Sequence, residues 1–310
     1  MYQISLITIN YNSSKETIAM IKSILEKSIT PLSYEIIIVD NASTDEEYNY
    51  LVTNLPTYDH LKIISSRVNV GFSSGNMLGV QEASGEYYFF LNNDTLLLND
   101  VMNIFYQYAS TYKCALVTAQ LINEKGEKTV SFNYFPSLIY KIFGSGAARV
   151  LEPKRFISRR KEIVEPTEID VASGACMFIN SELFDRLGGL DTNLFLYCEE
   201  EDICKRIHDL NGDIVLLPEA KVQHFEGGST QRDITIEKEF IISYFYLVNK
   251  HFTYVSGVLL KLFYFLKILK KALRAVDFRL VVFVLSPNKL QKSLKLKQII
   301  LKQRRCYANK

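Results

Sequence analysis

With 310 residues, 48% of them hydrophobic, the chain can bury a large core, which excludes a disordered or fibrous polypeptide. The net charge of +2 hides an uneven split: residues 250–310 carry 15 Lys and Arg against one acid, Asp277, leaving 21 of the 36 bases to face 33 of the 34 acids over residues 1–249. An acidic body with a basic tail makes an anionic surface the expected partner of the tail.

In chain order, an apolar strand near Ile4 to Ile9 leads to "SSKE", where Ser13 and Glu16 have capping-box spacing, and to a helix with apolar Ile18, Ile21 and Leu25 closed by Thr30 and Pro31. A second strand, "EIIIV", runs into "DNASTDEE", where Ser43 and Glu46 repeat the capping box. A third, "LKII", precedes "NVGFSSGNMLGV" and another helix, and a fourth is "YYFFL", ending in Asn92, Asn93 and Asp94. Strands alternating with helices predict a parallel sheet with right-handed crossovers. Further on, the pattern predicts a helix from Asn99 to about Tyr112, a strand around Cys114 to Thr118, a hairpin near Gly126 and an irregular stretch from Phe135 to Pro166. The last of these reads either as a binding loop or as a solvated surface loop. A strand in "DVASGACMFI", a short helix near Glu182 to Leu187, a helix in "EEEDICKRIHDL" and a strand in "IVLLP" follow, and beyond Thr235 the pattern is helical, apolar and finally basic. The five cysteines show neither C-x-x-C spacing nor an even framework, and "MYQISLITIN" lacks a basic n-region and a cleavage site, so reduced thiols in a cytosolic setting are expected.

Polar residues gather where strands end: Asn10 and Tyr11, Asp40 and Asn41, the Asn69 to Asn76 loop, and Asn92 to Asp94. Ligands of open α/β sheets sit outside the carboxyl ends of the strands, so these positions are expected to line one crevice. In "EEEDICKRIHDL", Ile203, Cys204, Ile207 and Leu210 share one face at 100° per residue; Glu199 and Glu200 project toward it, and Glu201 points away. Two inward carboxylates at a helix start suit a general base, although an acidic first turn also simply complements the helix dipole. Asp202, four residues before Arg206, suits an ordinary surface ion pair. His224 reads either as a hydrogen-bonded structural residue or, with Asp94, as part of an oxygen-and-nitrogen site for a divalent ion.

Taken together, "LITINYNS", "IIIVDNASTD", "NVGFSSGNMLGV", "GEYYFFLNNDT", "VASGACMFINSELFDRLGGLD", "FLYCEEEDICKRI" and "HFEGGST" resemble, in order and spacing, family-2 inverting glycosyltransferases of the GT-A fold, with the rhamnosyltransferase-like branch most similar. The resemblance covers roughly residues 3 to 232. It implies an α/β fold with a Rossmann-like mixed sheet and helices on both faces, in a catalytic domain over 1–234. Residues 1–98 would be the nucleotide-sugar half, 99–234 the acceptor half, and 235–310 a helical, basic extension. It implies that Asn10, Tyr11 and Asp40 hold the nucleotide base and ribose, and that Asn69, Gly71, Gly75 and Asn76 pack around the diphosphate. Asn92, Asn93 and Asp94 would stand in place of a D-x-D signature. Asp94 and His224 would bind Mg2+ or Mn2+, and Glu200, with Glu199 beside it, would be the catalytic carboxylate. The expected reaction moves a sugar from a UDP- or dTDP-sugar onto a lipid-linked or growing polysaccharide acceptor for the cell surface. Asn92 replaces the first acid of D-x-D, leaving a metal fewer charged ligands, and Glu replaces Asp at 200, lengthening the reach by one methylene.

In the tail, Lys267, Lys270, Lys271 and Arg274 form one cationic stripe on an apolar helix interrupted by Lys261 and Lys267. This favours an interfacial helix on the anionic inner face of the cell membrane over a spanning one, with a helix packed on the catalytic domain or in a homo-oligomer as the competing reading. No nucleic-acid motif accompanies the charge. Two other functions fit less well. A nucleotidyltransferase would need a Gly-rich cationic loop after the first strand, where "NYNSSKE" has only Lys15, and a silent sugar-nucleotide-binding scaffold would not need Asp94, Glu200 and His224 together.

Overall fold

The structure is a computed structural model that describes residues 2–153, 155–159, 162–225 and 233–302. The first half alternates β1 (Tyr2–Asn10), α1 (Ser14–Lys27), β2 (Tyr34–Asn41), α2 (Asp45–Asn54), β3 (Leu61–Ser66), α3 (Gly71–Val80) and β4 (Gly85–Leu91). It continues with β5 (Thr95–Leu97), α4 (Val101–Tyr112), β6 (Leu116–Ile122), β7 (Phe132–Asn133), α5 (Leu138–Leu151), β8 (Thr167–Glu168), β9 (Val171–Ala172), β10 (Cys176–Asn180), α6 (Ser181–Arg186), α7 (Glu199–Asp209) and β11 (Ile214–His224). Helices α8 (Ile234–His251), α9 (Tyr254–Ala275) and α10 (Arg279–Leu285) follow, then two short 3-10 turns.

The main sheet is mixed, in the order β3-β2-β1-β4-β10-β6-β11-β5, with β8 pairing β11. The parallel expectation holds for β3, β2, β1 and β4. It fails at β10, which runs antiparallel to both β4 and β6, and at β5, antiparallel to β11. Both strands pair with partners far away in the chain, so their direction is set by the tertiary path rather than by a βαβ repeat. Alternate side chains of each strand cover opposite faces. Leu6, Ile36 and Phe89 pack with Ile21 and Phe105 of α1 and α4; Ile7, Ile37 and Phe90 pack with Phe184, Ile203 and Ile207 of α6 and α7. The result is a sheet covered by helices on both sides.

Four local expectations need correction. Ser13 is the N-cap of α1 but its side chain caps nothing; the Ser14 N–H donates instead to the Glu47 carboxylate at 3.1 Å. The second cap is Thr44 rather than Ser43, accepting from the Glu47 N–H at 3.3 Å. In both cases a crowded strand end claims the serine hydroxyl for tertiary bonds. The stretch from Phe135 to Pro166 also contains a helix, α5, broken at Gly144 where φ is 77°. "IVLLP" is only the start of β11, whose register shifts between Leu217 and Lys221 before it continues to His224.

The C-terminal helices pack against the segment that leads into α7. Ser243 of α8 donates to the Leu196 carbonyl at 2.8 Å, and near the end of the described chain Leu301 and Arg67 exchange backbone and side-chain hydrogen bonds of 2.7 and 3.1 Å. Cys114, Cys176, Cys198 and Cys204 are buried free thiols, and Cys306 lies outside the described residues.

Candidate active site

The carboxyl ends of β1, β2 and β4 carry the polar residues to one edge of the sheet. Pairing with β4 brings the start of β10 to the same edge, Cys176 opposite Leu91. Not every predicted residue is free to meet a ligand there. Asn10 is fully buried, and its amide donates to Asp40 at 3.0 Å and to Ser43 at 3.1 Å while its carbonyl accepts from Thr17 at 2.9 Å. Asn93 is likewise buried, donating to Ser13 at 2.6 Å and Thr17 at 2.9 Å. Both side chains tie strand ends to the start of α1, and Asn10 also holds Asp40 in place. Tyr11, 41% exposed, is the nucleotide candidate most open to solvent.

Asn41, expected to line the crevice but without a ligand role from the resemblance, organises the glycine loop. It donates to Asn69 at 3.0 Å and to the Gly71 carbonyl at 3.1 Å, and accepts from the Val70 N–H at 2.9 Å. Gly71 has φ +83°, and a Cβ there would lie 2.3 Å from the Phe195 carbonyl oxygen, which accepts the Phe72 N–H at 2.7 Å. That bond fastens the approach to α7 onto the start of α3. Gly75 serves packing: a Cβ would stand 2.8 Å from Ile9 of the sheet. Asn76 is buried and donates back to Phe72 of its own helix.

Asp94 and His224 are brought together by β5 and β11, whose antiparallel register sets His224 opposite Thr95. The imidazole Nε2 lies 3.3 Å from Asp94 Oδ1, and the Phe225 N–H donates to the Asp94 carbonyl at 3.0 Å. Among the described residues no three His, Cys, Asp or Glu side chains form a metal cage. One carboxylate and one imidazole side by side nevertheless fit a cation that takes its remaining ligands from phosphates and water, as Mg2+ and Mn2+ do with nucleotides.

Glu199, Glu200 and Glu201 open α7 behind Tyr197 and Cys198, both with left-handed backbone at φ 74° and 68°. Consecutive left-handed residues other than glycine are costly and cluster at functional sites. Glu200 is half-buried against the turn between β9 and β10, where a Cβ on Gly174 would lie 3.6 Å from its carboxyl oxygen Oε2. The next residue, Ala175, accepts the Asn92 N–H at 2.9 Å, so one turn touches both the strand end bearing Asp94 and the carboxylate of Glu200. Burial raises the Glu200 carboxyl above the ordinary range. Burial and the neighbouring Glu200 charge raise Glu199 well above it. Glu201 does not point away as expected: burial, then the charges of Glu200 and Glu199, raise it well above that range, and one of its oxygens has no hydrogen-bond partner among the described residues. Helix α8, whose position the local pattern did not reveal, covers this side. Leu210 is the converse, 52% exposed at the helix end.

Asp202 is not at the surface. It is fully buried, binding Arg206 at 2.7 Å, Lys250 at 2.6 Å and His251 at 2.7 Å. Burial alone would raise its carboxyl, but the His251 and Lys250 hydrogen bonds hold it down to about 2. Arg206 also donates to the carbonyls of Leu187 and Gly189 at 2.9 and 2.7 Å, and Lys250 to Asp191 at 2.6 Å. The end of α8 is thereby locked to the first turn of α7.

Known proteins resemble this chain in sequence and in fold. The family model described as glycosyl transferase family 2 matches residues 5–188. A low-salt glycan biosynthesis hexosyltransferase, Agl10 of Haloferax volcanii, is 26% identical over 68% of this chain and 63% of its own length. The rhamnosyltransferase WbbL of Escherichia coli K12 is 27% identical over 56% of this chain and 66% of its own. The chain thus spans just under two thirds of these relatives' lengths. Among solved structures, GalNAc-T7 with UDP, GalNAc and Mn2+ superposes with a TM-score of 0.55 at 18% identity over 78% of this chain and 47% of that one. S. aureus TarS 1-349 superposes at 0.52 and 13% identity over 91% and 90%. Both share the fold.

Proposed function

Since the chain belongs to glycosyl transferase family 2 and has the GT-A fold, we propose that it transfers a sugar with inversion from a UDP- or dTDP-sugar to a lipid-linked or growing polysaccharide acceptor. The observation that carries this reading is the turn at Gly174 and Ala175, which touches Glu200 on one side and the strand end bearing Asp94 on the other. In this reading Tyr11 and Asp40 hold the nucleotide, and Asn69, Gly71 and Asn92 border its diphosphate. Asn10, Asn93, Gly75 and Asn76 act from behind, by fixing those elements.

Asp94 and His224 would hold Mg2+ or Mn2+, which when bound offsets the negative charge that develops on the nucleoside diphosphate. Glu200 takes the proton of the acceptor hydroxyl as its oxygen attacks the anomeric carbon from the face opposite the leaving group. Glu199 is the weaker candidate for base, since it is only 5% exposed and Glu200 is more accessible. A raised carboxyl suits the task, because a base works best with its pKa near the working pH.

Helix α9 supports a place at an anionic membrane face. Val255, Val258, Leu262, Leu266 and Leu273 are 46 to 67% exposed along one side of it, with Lys267, Lys270 and Arg274 on a flank. No described helix is long and apolar enough to cross a membrane. An apolar stripe edged by cations is the pattern of a helix lying in the headgroup layer.

The test is nucleoside diphosphate release from UDP-, dTDP- and GDP-sugars, with Mn2+ or EDTA, for wild type and Asp94→Ala. Metal-dependent release from one donor, lost in the variant, is expected. If the wild type binds no sugar nucleotide at all, the reading is wrong.

A further inference from the structure

A cavity of about 440 Å³ lies between α8, α9 and the start of α10, outside the nucleotide crevice. Its volume is that of a small-ligand site. The walls are aromatic: Tyr197, Phe240, Tyr244 and Tyr264, with Tyr244 and Tyr264 rings 4.9 Å apart and Tyr197 edge-on to Phe240 at 5.6 Å. Lys267 and Lys271 stand exposed at the rim, Lys271 paired with Glu237 at 2.8 Å.

Three features suggest an occupant. Tyr197 lies two residues ahead of Glu199, so the cavity wall continues into the left-handed segment that introduces the catalytic helix. Tyr244, only 6% exposed and with its hydroxyl buried, presents its ring beside those of Phe240 and Tyr264, so the interior suits hydrocarbon rather than a charged group. Finally, α9 presents its inner side to the cavity and its opposite, apolar side to solvent, with cations on the flank. A lipid in a bilayer under α9 would reach the cavity past Lys267.

We propose that this cavity seats the first carbons of the hydrocarbon chain of a lipid-phosphate acceptor, whose phosphate meets Lys267 and Lys271 at the rim. The proposal rests on the transferase reading only for calling this lipid the acceptor. Seated there, the lipid phosphate anchors the acceptor, and the attached sugar extends past Tyr197 toward Glu200.

The probe is dodecyl phosphate, titrated calorimetrically below its micelle concentration into the full chain, with inorganic phosphate and dodecyl maltoside as comparisons and UDP binding measured on the same samples. Expected is saturable one-to-one binding of dodecyl phosphate, at least tenfold tighter than either comparison. Lys267→Glu is expected to weaken it severalfold, and Ile236→Trp, which fills the cavity, to weaken it at least tenfold. UDP binding should persist in both. Equal binding of inorganic phosphate would mean a simple anion site, equal binding of the maltoside a detergent surface, and unchanged affinity in Ile236→Trp a site elsewhere; each overturns the proposal. Loss of UDP binding in the wild type would count against the transferase reading instead.

Discussion

At the scale of single residues, the acidic first turn of α7 combines two opposite electrostatic demands. As the proposed base, Glu200 must be ionised to accept a proton, yet burial raises its carboxyl, so turnover should climb with pH through a midpoint above the ordinary carboxylate range. A pH–rate profile of kcat checks this, and a plateau already reached at pH 4.5 would remove Glu200 as the base. Glu200→Gln, which preserves shape, should lower kcat about 10²- to 10⁴-fold with donor affinity unchanged. Glu201 gives a stability counterpart. Its folded-state carboxyl is raised, so the folded chain binds the proton more tightly than the unfolded one, and stability is lost as pH rises past the ordinary value. Glu201→Gln should therefore raise the melting temperature at pH 8 and do little at pH 5. Asp202 behaves in the opposite sense: its carboxyl is lowered from 3.8 to about 2, so its contribution is present above 3.8 and is lost as pH falls toward 2.

At the scale of elements, the site depends on contacts that join segments far apart in the chain. Gly71 must stay glycine, because its left-handed φ and the Phe195 oxygen 2.3 Å from any Cβ leave no room for a side chain. Gly71→Ala should cost about 2 kcal/mol or more and weaken nucleotide binding, measured by denaturant unfolding and UDP titration. The lock between α7 and α8 is equally specific. Asp202→Ala leaves Lys250 and His251 facing an empty acceptor position, and should destabilise the fold by about 3–5 kcal/mol. These elements were legible in unequal degree. Helix α7 and strands β1 to β4 follow from apolar periodicity. Strand β5 has only three residues and exists because β11 pairs with it, and α5 lies in a stretch whose glycines and charges read as a loop.

At the scale of the whole molecule, the uneven charge split finds its structural form in α8 to α10. The inner side of α9 packs on the body while its outer side stays apolar and exposed. Leu262→Glu with Leu266→Glu should reduce binding to anionic lipid vesicles at least tenfold, as read by flotation, without changing UDP affinity. Raised salt should weaken the wild type's binding through screening of Lys267, Lys270 and Arg274. Unchanged flotation of the double variant would show that α9 is not the contact.

The sequence by itself determined the alternation of strands and helices, the sheet edge where polar residues collect, the basic tail and, through the joint motif set, the family. Those properties are local or additive along the chain, so periodicity and spacing express them. Tertiary structure decided which of the gathered polar residues remain available. Asn10 and Asn93 look like ligand-binding residues in one dimension but have their hydrogen bonds consumed by neighbours 30 and 80 positions away. The setting of Asp202, the burial of Glu201 and the cavity beside Tyr244 likewise depend on α8 and α9 folding back over α7. No local pattern in "EEEDICKRIHDL" encodes that return, because its partners are distant in the chain and meet only when the core closes.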